Sequence, residues 1–170
     1  MKNKNVLFLV QAAAIAALYV VLTWLANQLG LASGVIQVRF SEALTILPFF
    51  TAAAVPGLFL GCLLSNLLTG AVIWDIIFGS LATLIGAIFT YLLRRTKIKW
   101  LAPLPPILAN TVIVPWVLRF AYGSPDAIWY MTLTVGAGEI ISCGILGMIL
   151  LFALLPYRNV LFSENGKAMT

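Results

Sequence analysis

The sequence predicts an all-α membrane protein, a bundle of six transmembrane helices. Three observations carry that expectation. Of the 170 residues, 62% are apolar and 9% charged, with a mean hydropathy of +1.07, whereas a soluble domain runs near half apolar and a quarter charged. The apolar residues gather into runs long enough to cross a bilayer, which takes about 20 residues in a helix. The Lys and Arg residues fall between those runs, the habit of membrane proteins that orient themselves by flanking charge. At that span length the chain holds roughly five to seven crossings. It therefore reads as a single integral membrane domain, 1–170, with no room for a soluble one.

The first run, residues 6–26, follows Lys2 and Lys4. It is longer than the apolar stretch of a signal peptide, and no small-x-small site precedes Asn27-Gln28, so it reads as a retained span. Residues 30–40 mix Gly, Ser, Gln and Arg with β-branched residues and read as a non-helical loop, a candidate lid. From 41 to 70 the apolar character is continuous but broken by Pro48 and by Pro56-Gly57, where Pro suits the opening of a second helix.

Charge decides whether 41–70 is one span or two. Take the N-terminus as cytoplasmic and the segment as a hairpin of helices at 42–54 and 56–70. Eight basic residues then lie inside (Lys2, Lys4, Arg94, Arg95, Lys97, Lys99, Arg158, Lys167) and two, Arg39 and Arg119, outside. A single span would turn the basic loop 94–99 outward, against the positive-inside rule. Helices 2 and 3 are thus expected to be short, roughly 20 Å each at about 1.5 Å per residue, and both termini cytoplasmic. The remaining spans are 72–93, 104–122 and 127–155, with a kink expected at Pro115, which removes a backbone donor.

Composition also excludes functions. The chain has no histidine, which removes imidazole metal sites and histidine acid–base catalysis. Cys62 and Cys143 sit far apart in apolar runs and suggest neither a disulfide framework nor a thiol metal site, so no cofactor and no metal are expected. No phosphate-binding G-x-x-x-x-G-K-[ST] loop is present, and the two halves do not resemble each other. The scattered basic residues form no nucleic-acid surface.

Polar groups in hydrocarbon are costly and need a partner, water or a ligand. Glu139 is the sharpest case, about 12 residues into the last span and near mid-bilayer at about 1.5 Å per residue. Asn66 and Asn110 also lie within spans, where amides serve either as ligand contacts or as interhelical bridges. Asp75 and Glu42 sit near helix N-termini, which the helix dipole favours without any ligand. In the six-helix arrangement Arg39, Glu42, Asp75, Arg119 and Asp126 fall near the outer face, with Asn66, Asn110 and Glu139 at or above the midplane. That predicts a polar cavity open to the outside and closed beneath by apolar packing. Trp74, Trp116, Tyr122 and Trp129 lie on the same side, either as an interfacial belt or as a stacking wall for a flat ligand. On the first helix Ala12/Ala16 and Ala13/Ala17 form a strip of small residues that another helix can approach closely, inside the bundle or on a partner.

The stretch Ile36-Gln37-Val38-Arg39-Phe40-Ser41-Glu42-Ala43-Leu44-Thr45-Ile46-Leu47-Pro48-Phe49-Phe50, running on to Pro56-Gly57-Leu58-Phe59-Leu60-Gly61-Cys62, resembles the queuosine-precursor transporter family. These are substrate-binding (S) components of energy-coupling factor transporters. Trp74-Asp75-Ile76-Ile77-Phe78-Gly79-Ser80 and Gly138-Glu139 continue the likeness, which covers nearly the whole chain. The resemblance implies a six-helix S component binding a 7-deazaguanine such as preQ1, preQ0 or queuine, with no enzymatic activity of its own. It also implies a partner module of one transmembrane coupling protein and two ATPases, with Ala12, Ala13, Ala16 and Ala17 as the docking strip.

The chemistry is compatible. A deazaguanine offers N1–H and an exocyclic amine on one edge, and a carboxylate can accept both. Glu139 is the first choice for that role and Glu42 the second. An aminomethyl cation would seek another carboxylate, Asp75 or Glu42. Asn66 and Asn110 could reach the ring's acceptors, Trp74 or Trp116 could stack on it, and Arg39 would orient Glu42. The competing readings are a membrane-embedded enzyme using Glu42, Asp75 and Glu139 as acid and base, and a structural subunit of a larger complex.

Overall fold

The computed structural model describes residues 4–31, 36–96 and 98–162. Lys2, Lys97, Lys167 and the middle of the expected 30–40 lid lie outside the described residues. Among them four helices are long and apolar enough to cross a membrane, and two shorter apolar helices accompany them.

Helix α1, Lys4–Gln28, buries one stripe, Ala12, Ile15, Ala16, Tyr19, Thr23 and Ala26, at the three-and-four spacing of a helix face. Its other faces are apolar and exposed (Val6, Leu9, Val10, Leu18, Val21, Trp24), as suits a helix whose surroundings are lipid. Gly30 ends it with φ of 69°, a left-handed turn that glycine takes without a Cβ clash.

The expected second helix, 42–54, is a 3₁₀ segment, Phe40–Phe49, and it runs through the middle of the bundle. Every residue from Ser41 to Pro48 is buried, and the segment packs against α1, the two helices that follow it in the chain, and the C-terminal part of the bundle from Ile140 to Leu154. Ten residues is long for 3₁₀ geometry. Pro48 has no N–H to give and would crowd an α-helical turn, and the tighter winding suits a strand of chain enclosed on all sides.

Helix α2, Ala54–Leu68, opens with Pro56 in its first turn. A Cβ on Gly57 would lie 2.7 Å from the Ala12 carbonyl oxygen, and one on Gly61 2.7 Å from the Tyr19 Cβ. Glycine at these positions therefore lets α2 lie directly on α1. Helix α3, Ile73–Leu93, and helix α4, Leu104–Phe120, pair in the same way, with Gly86 against Pro106. Helix α5, Ile128–Glu139, passes into a π-helical segment, Ile140–Leu146, and then into α6, Gly147–Leu154. A 3₁₀ turn and a last short helix α7, Arg158–Leu161, follow, so the apolar run Ile128–Leu161 extends over 34 residues.

The apolar core (Tyr19, Ile46, Leu47, Phe50, Leu58, Ala102, Leu151) lies toward the end where α3 meets α4. The opposite end, where α1 and α4 finish and α3 begins, carries the polar cavities.

Candidate functional site

Glu42 enters the site from the third position of the 3₁₀ segment and is only 2% exposed. Its Oε1 accepts a short hydrogen bond from the Tyr19 hydroxyl, while its buried Oε2 has no hydrogen-bond partner. An unpaired carboxyl oxygen in a protein interior is costly to maintain, so it marks a position where a donor is wanted. Glu139, 9% exposed, is the last residue of α5. The Cys143 thiol, one turn further on, lies 3.1 Å from Glu139 Oε2 and 3.4 Å from the Glu42 carbonyl oxygen, and it accepts from Thr45 Oγ1 at 3.3 Å. Asn110 on α4 stands beside both carboxyls. Glu42, Glu139 and Asn110 line a narrow chamber of about 40 Å³ together with Gly79, Thr83, Val114, Leu118, Thr134 and Val135, and Tyr19 and Cys143 stand behind the two carboxyls.

One ligand-type atom from each of Glu42, Glu139 and Cys143 lies within 4.8 Å of the other two, close enough to surround a cation. The donor set mixes hard carboxyl oxygens with a thiol that is itself engaged as a donor, and Tyr19 already occupies one Glu42 oxygen. The trio is better described as a hydrogen-bonded floor to the chamber.

A second, wider cavity of about 430 Å³ opens at the polar end of the bundle, lined by Thr23, Asn27, Asn66, Thr69, Asp75 and Tyr122 among others. Asp75 is in the first turn of α3 and accepts from the Tyr122 hydroxyl at 2.9 Å. Burial, and then the adjoining Asp75 carboxylate, push the Tyr122 phenol above its ordinary pKa. Gly79, one turn on, is closely approached by both side chains: a Cβ there would lie 3.2 Å from Asp75 Oδ1 and 3.3 Å from Asn66 Nδ2, tighter than an ordinary contact.

Gln37, Arg39 and Leu118 line both cavities and so form the neck between them. The neck is pinned to α5 and the π segment. The Arg39 N–H donates to Ser142 Oγ at 3.1 Å, and a Cβ on Gly138 would lie 2.2 Å from the Gln37 carbonyl oxygen. The Arg39 guanidinium lies within electrostatic reach of the Asp75 and Glu42 carboxyls, Asp75 acting on it the more strongly.

The structure therefore brings Glu42, Glu139, Asn110 and Arg39 together at the chamber, and Asp75 and Asn66 with Arg39 at the vestibule. It does not bring Trp74 or Trp116 there. Trp74 is 55% exposed and Trp116 49%, and with Phe78 and Phe120 they line an apolar groove on the outer surface between α3 and α4. Trp74 is one residue from Asp75, about 100° around the helix, so it faces away from the cavity. The small-residue strip also divides: Ala12 and Ala16 are buried against α2, whereas Ala13 and Ala17 face outward. Tyr19, Gln37 and Thr83 were not expected in the site. The buried spacing Asp75, Gly79, Thr83 on α3 was the signal for the last of these.

A family model described as QueT transporter matches residues 9–156. The queuosine precursor transporter QueT of Lactococcus lactis subsp. cremoris (strain MG1363) is 36% identical over 85 residues, 50% of this chain and 50% of that protein. The match thus spans about half the length of this curated relative. No solved structure matches the chain. With apolar helices long enough for several crossings and the family match running over most of its length, the chain is a multi-pass membrane protein and belongs to the QueT transporter family.

Proposed function

We propose that this transporter is the substrate-binding component of an energy-coupling factor importer, and that it captures a queuosine precursor of the 7-deazaguanine class. The observation that carries the ligand class is the pair of buried carboxyls Glu42 and Glu139 at the closed end of a narrow chamber, one with an oxygen lacking a donor. The deazaguanine edge supplies N1–H and an exocyclic N–H₂, and a carboxyl that accepts both rejects rings presenting acceptors there. The name of the Lactococcus relative points to the same class.

In this reading Glu139 and Glu42 accept the base's donors, Asn110 bridges them, and the ring faces meet Val114, Leu118 and Val135. Asn66 and Asp75 serve the vestibule, and Arg39 holds the neck. Trp74 and Trp116 do not stack on the ring in this reading, because both face the surface groove. The chamber of about 40 Å³ is too small for a bicyclic base. Loading therefore requires the neck at Gln37 and Arg39 to move so that chamber and vestibule become one space.

The arrangement in the membrane is proposed as six crossings with the second and third short and both termini cytoplasmic, which puts the vestibule outside. A partner module of a transmembrane coupling subunit and two ATPases would drive release, docking on the outward Ala13/Ala17 side of α1.

Calorimetric titration of the purified chain with 7-deazaguanines, guanine and riboflavin tests the reading. Saturable binding of a deazaguanine, absent for riboflavin and lost in Glu139→Gln, is expected. Binding of no 7-deazaguanine overturns it.

A further inference from the structure

The central 3₁₀ segment is anchored to α1 at both ends. At the polar end Thr23 Oγ1 lies 2.8 Å from Ser41 Oγ, and Glu42 accepts from the Tyr19 hydroxyl. At the opposite end Gln11, near the start of the same helix, makes two hydrogen bonds. Its Oε1 accepts from Thr51 Oγ1 at 3.1 Å, and its Nε2 donates to the Leu161 carbonyl oxygen at 3.0 Å. The Phe162 ring stacks on Phe50, with centroids 5.2 Å apart and planes 14° from parallel. Gln11 and Phe162 thus clasp the end of the segment between α1 and the C-terminal turn.

Length accounts for the winding. From Gln11 to Thr23, α1 rises about 18 Å at about 1.5 Å per residue. The chain from Ser41 to Thr51, 3₁₀ as far as Phe49, covers about 20 Å at about 2.0 Å per residue, and would cover only about 15 Å in α geometry. The 3₁₀ form reaches both anchor points and the α form falls short. Between the anchors Ile46, Leu47 and Pro48 are buried and apolar, and such packing is non-directional, so the end contacts decide how far the segment extends. Rewinding toward α geometry draws the segment in by about 0.5 Å per residue and turns each side chain by about 20° against the one before it. Glu42 and Thr45, three residues apart, then lose the relative facing that places one against Tyr19 and the other against Cys143.

Resting on the proposed reading of the chamber, we infer that Gln11 and Phe162 are positioning residues for ligand binding. By holding the 3₁₀ segment extended from the far end, they keep the Glu42 carboxyl in the chamber. The C-terminal turn and the chamber are then two coupled sites. Lifting Phe162 from Phe50 weakens the ligand, and bound ligand reciprocally holds the turn in place.

The test combines calorimetry and amide hydrogen exchange on the full chain in detergent, with preQ1, preQ0 and queuine as probes. Phe162→Ala and Gln11→Ala are each expected to weaken binding by at least about tenfold, which corresponds to about 1.4 kcal/mol. Phe162→Tyr, which keeps the ring, is expected to bind as the wild type does. In the wild type, ligand should slow exchange over residues 158–162 while leaving the turn at 98–101, at the same end of the bundle, unchanged. Wild-type affinity in folded Phe162→Ala and Gln11→Ala overturns the inference and leaves the deazaguanine reading standing. Exchange at 158–162 that ligand does not slow, or slows no more than at 98–101, does the same and needs no variant to fold. Binding of none of the three compounds overturns both.

Discussion

Tyr19 on α1 donates its hydroxyl to Oε1 of Glu42 in the 3₁₀ segment, and both side chains are almost wholly buried. The bond ties the outermost wall helix to the floor of the chamber. Ser41, the neighbour of Glu42, is held to the same helix through Thr23 Oγ1 at 2.8 Å. Because Glu42 Oε2 already lacks a partner, removing the Tyr19 hydroxyl takes away the hydrogen bond that holds Oε1 and leaves the carboxyl to Asn110 and the more distant Arg39. Tyr19→Phe should therefore destabilise the chain by about 1–3 kcal/mol, the range for orphaning a buried polar group. Thermal unfolding in detergent reads this. In the Tyr19→Phe, Glu42→Gln double variant the two effects should be less than additive, since both break one interaction.

The neck offers a second prediction. Gly138 presents bare backbone to the Gln37 carbonyl, and an added Cβ would fall 2.2 Å from that oxygen. Gly138→Ala must push residues 36–39 off α5, disturbing Gln37 and Arg39 in both cavities. Ligand affinity should fall by roughly tenfold or more, about 1.4 kcal/mol. Gly136→Ala is the comparison, because its Cβ would meet only Thr111, at 3.4 Å. Equal affinities in the two variants would show that the neck does not shape the site.

The Asp75–Tyr122 bond gives a pH dependence with a definite sign. Burial and the Asp75 carboxylate raise the Tyr122 pKa in the folded chain. The protonated phenol is thus favoured by folding, and its contribution to stability is complete below the unfolded value of about 10 and is lost as pH climbs through the higher folded value. The stability difference between wild type and Tyr122→Phe should accordingly stay flat from about pH 6 to 9 and shrink above about pH 10. Thermal scans across that range check it. A difference that grows with pH would mean that the phenol is not donating to Asp75.

Much of this was legible in the sequence, and the failures have physical causes. The long spans declared themselves through hydropathy, and Glu42, Asp75, Asn110 and Glu139 through the cost of polar groups in hydrocarbon. The 3₁₀ winding of Phe40–Phe49 did not, because an apolar run with one Pro reads as a kinked α-helix until the chain around it is known. Likewise nothing in Ile140–Leu146 announces a π segment. Tyr19 was silent for a different reason. A tyrosine in an apolar helix is ordinary, and only the arrival of Glu42 from another element gives its hydroxyl a task. Trp74 and Trp116 were legible at the right depth but not at the right angle. The Asp75, Gly79, Thr83 stripe on α3 fixes the inward face and leaves Trp74 and Phe78 outside it.

The divided alanine strip on α1 yields the last prediction. Ala12 and Ala16 are buried on α2, where Gly57 and Gly61 leave no room for a larger side chain. Ala12→Leu should overpack that contact and cost about 1–3 kcal/mol, visible as a lower unfolding temperature of the isolated chain. Ala13 and Ala17 face outward, and Ala13→Leu should change stability by less than about 0.5 kcal/mol, as for a surface site. If a coupling subunit docks on this face, Ala13→Trp and Ala17→Trp should block close helix approach there. Deazaguanine binding by the isolated chain would then persist, while ATP-driven uptake in vesicles containing the coupling module falls severalfold. Full uptake by both Trp variants would move the docking surface off the Ala13/Ala17 face.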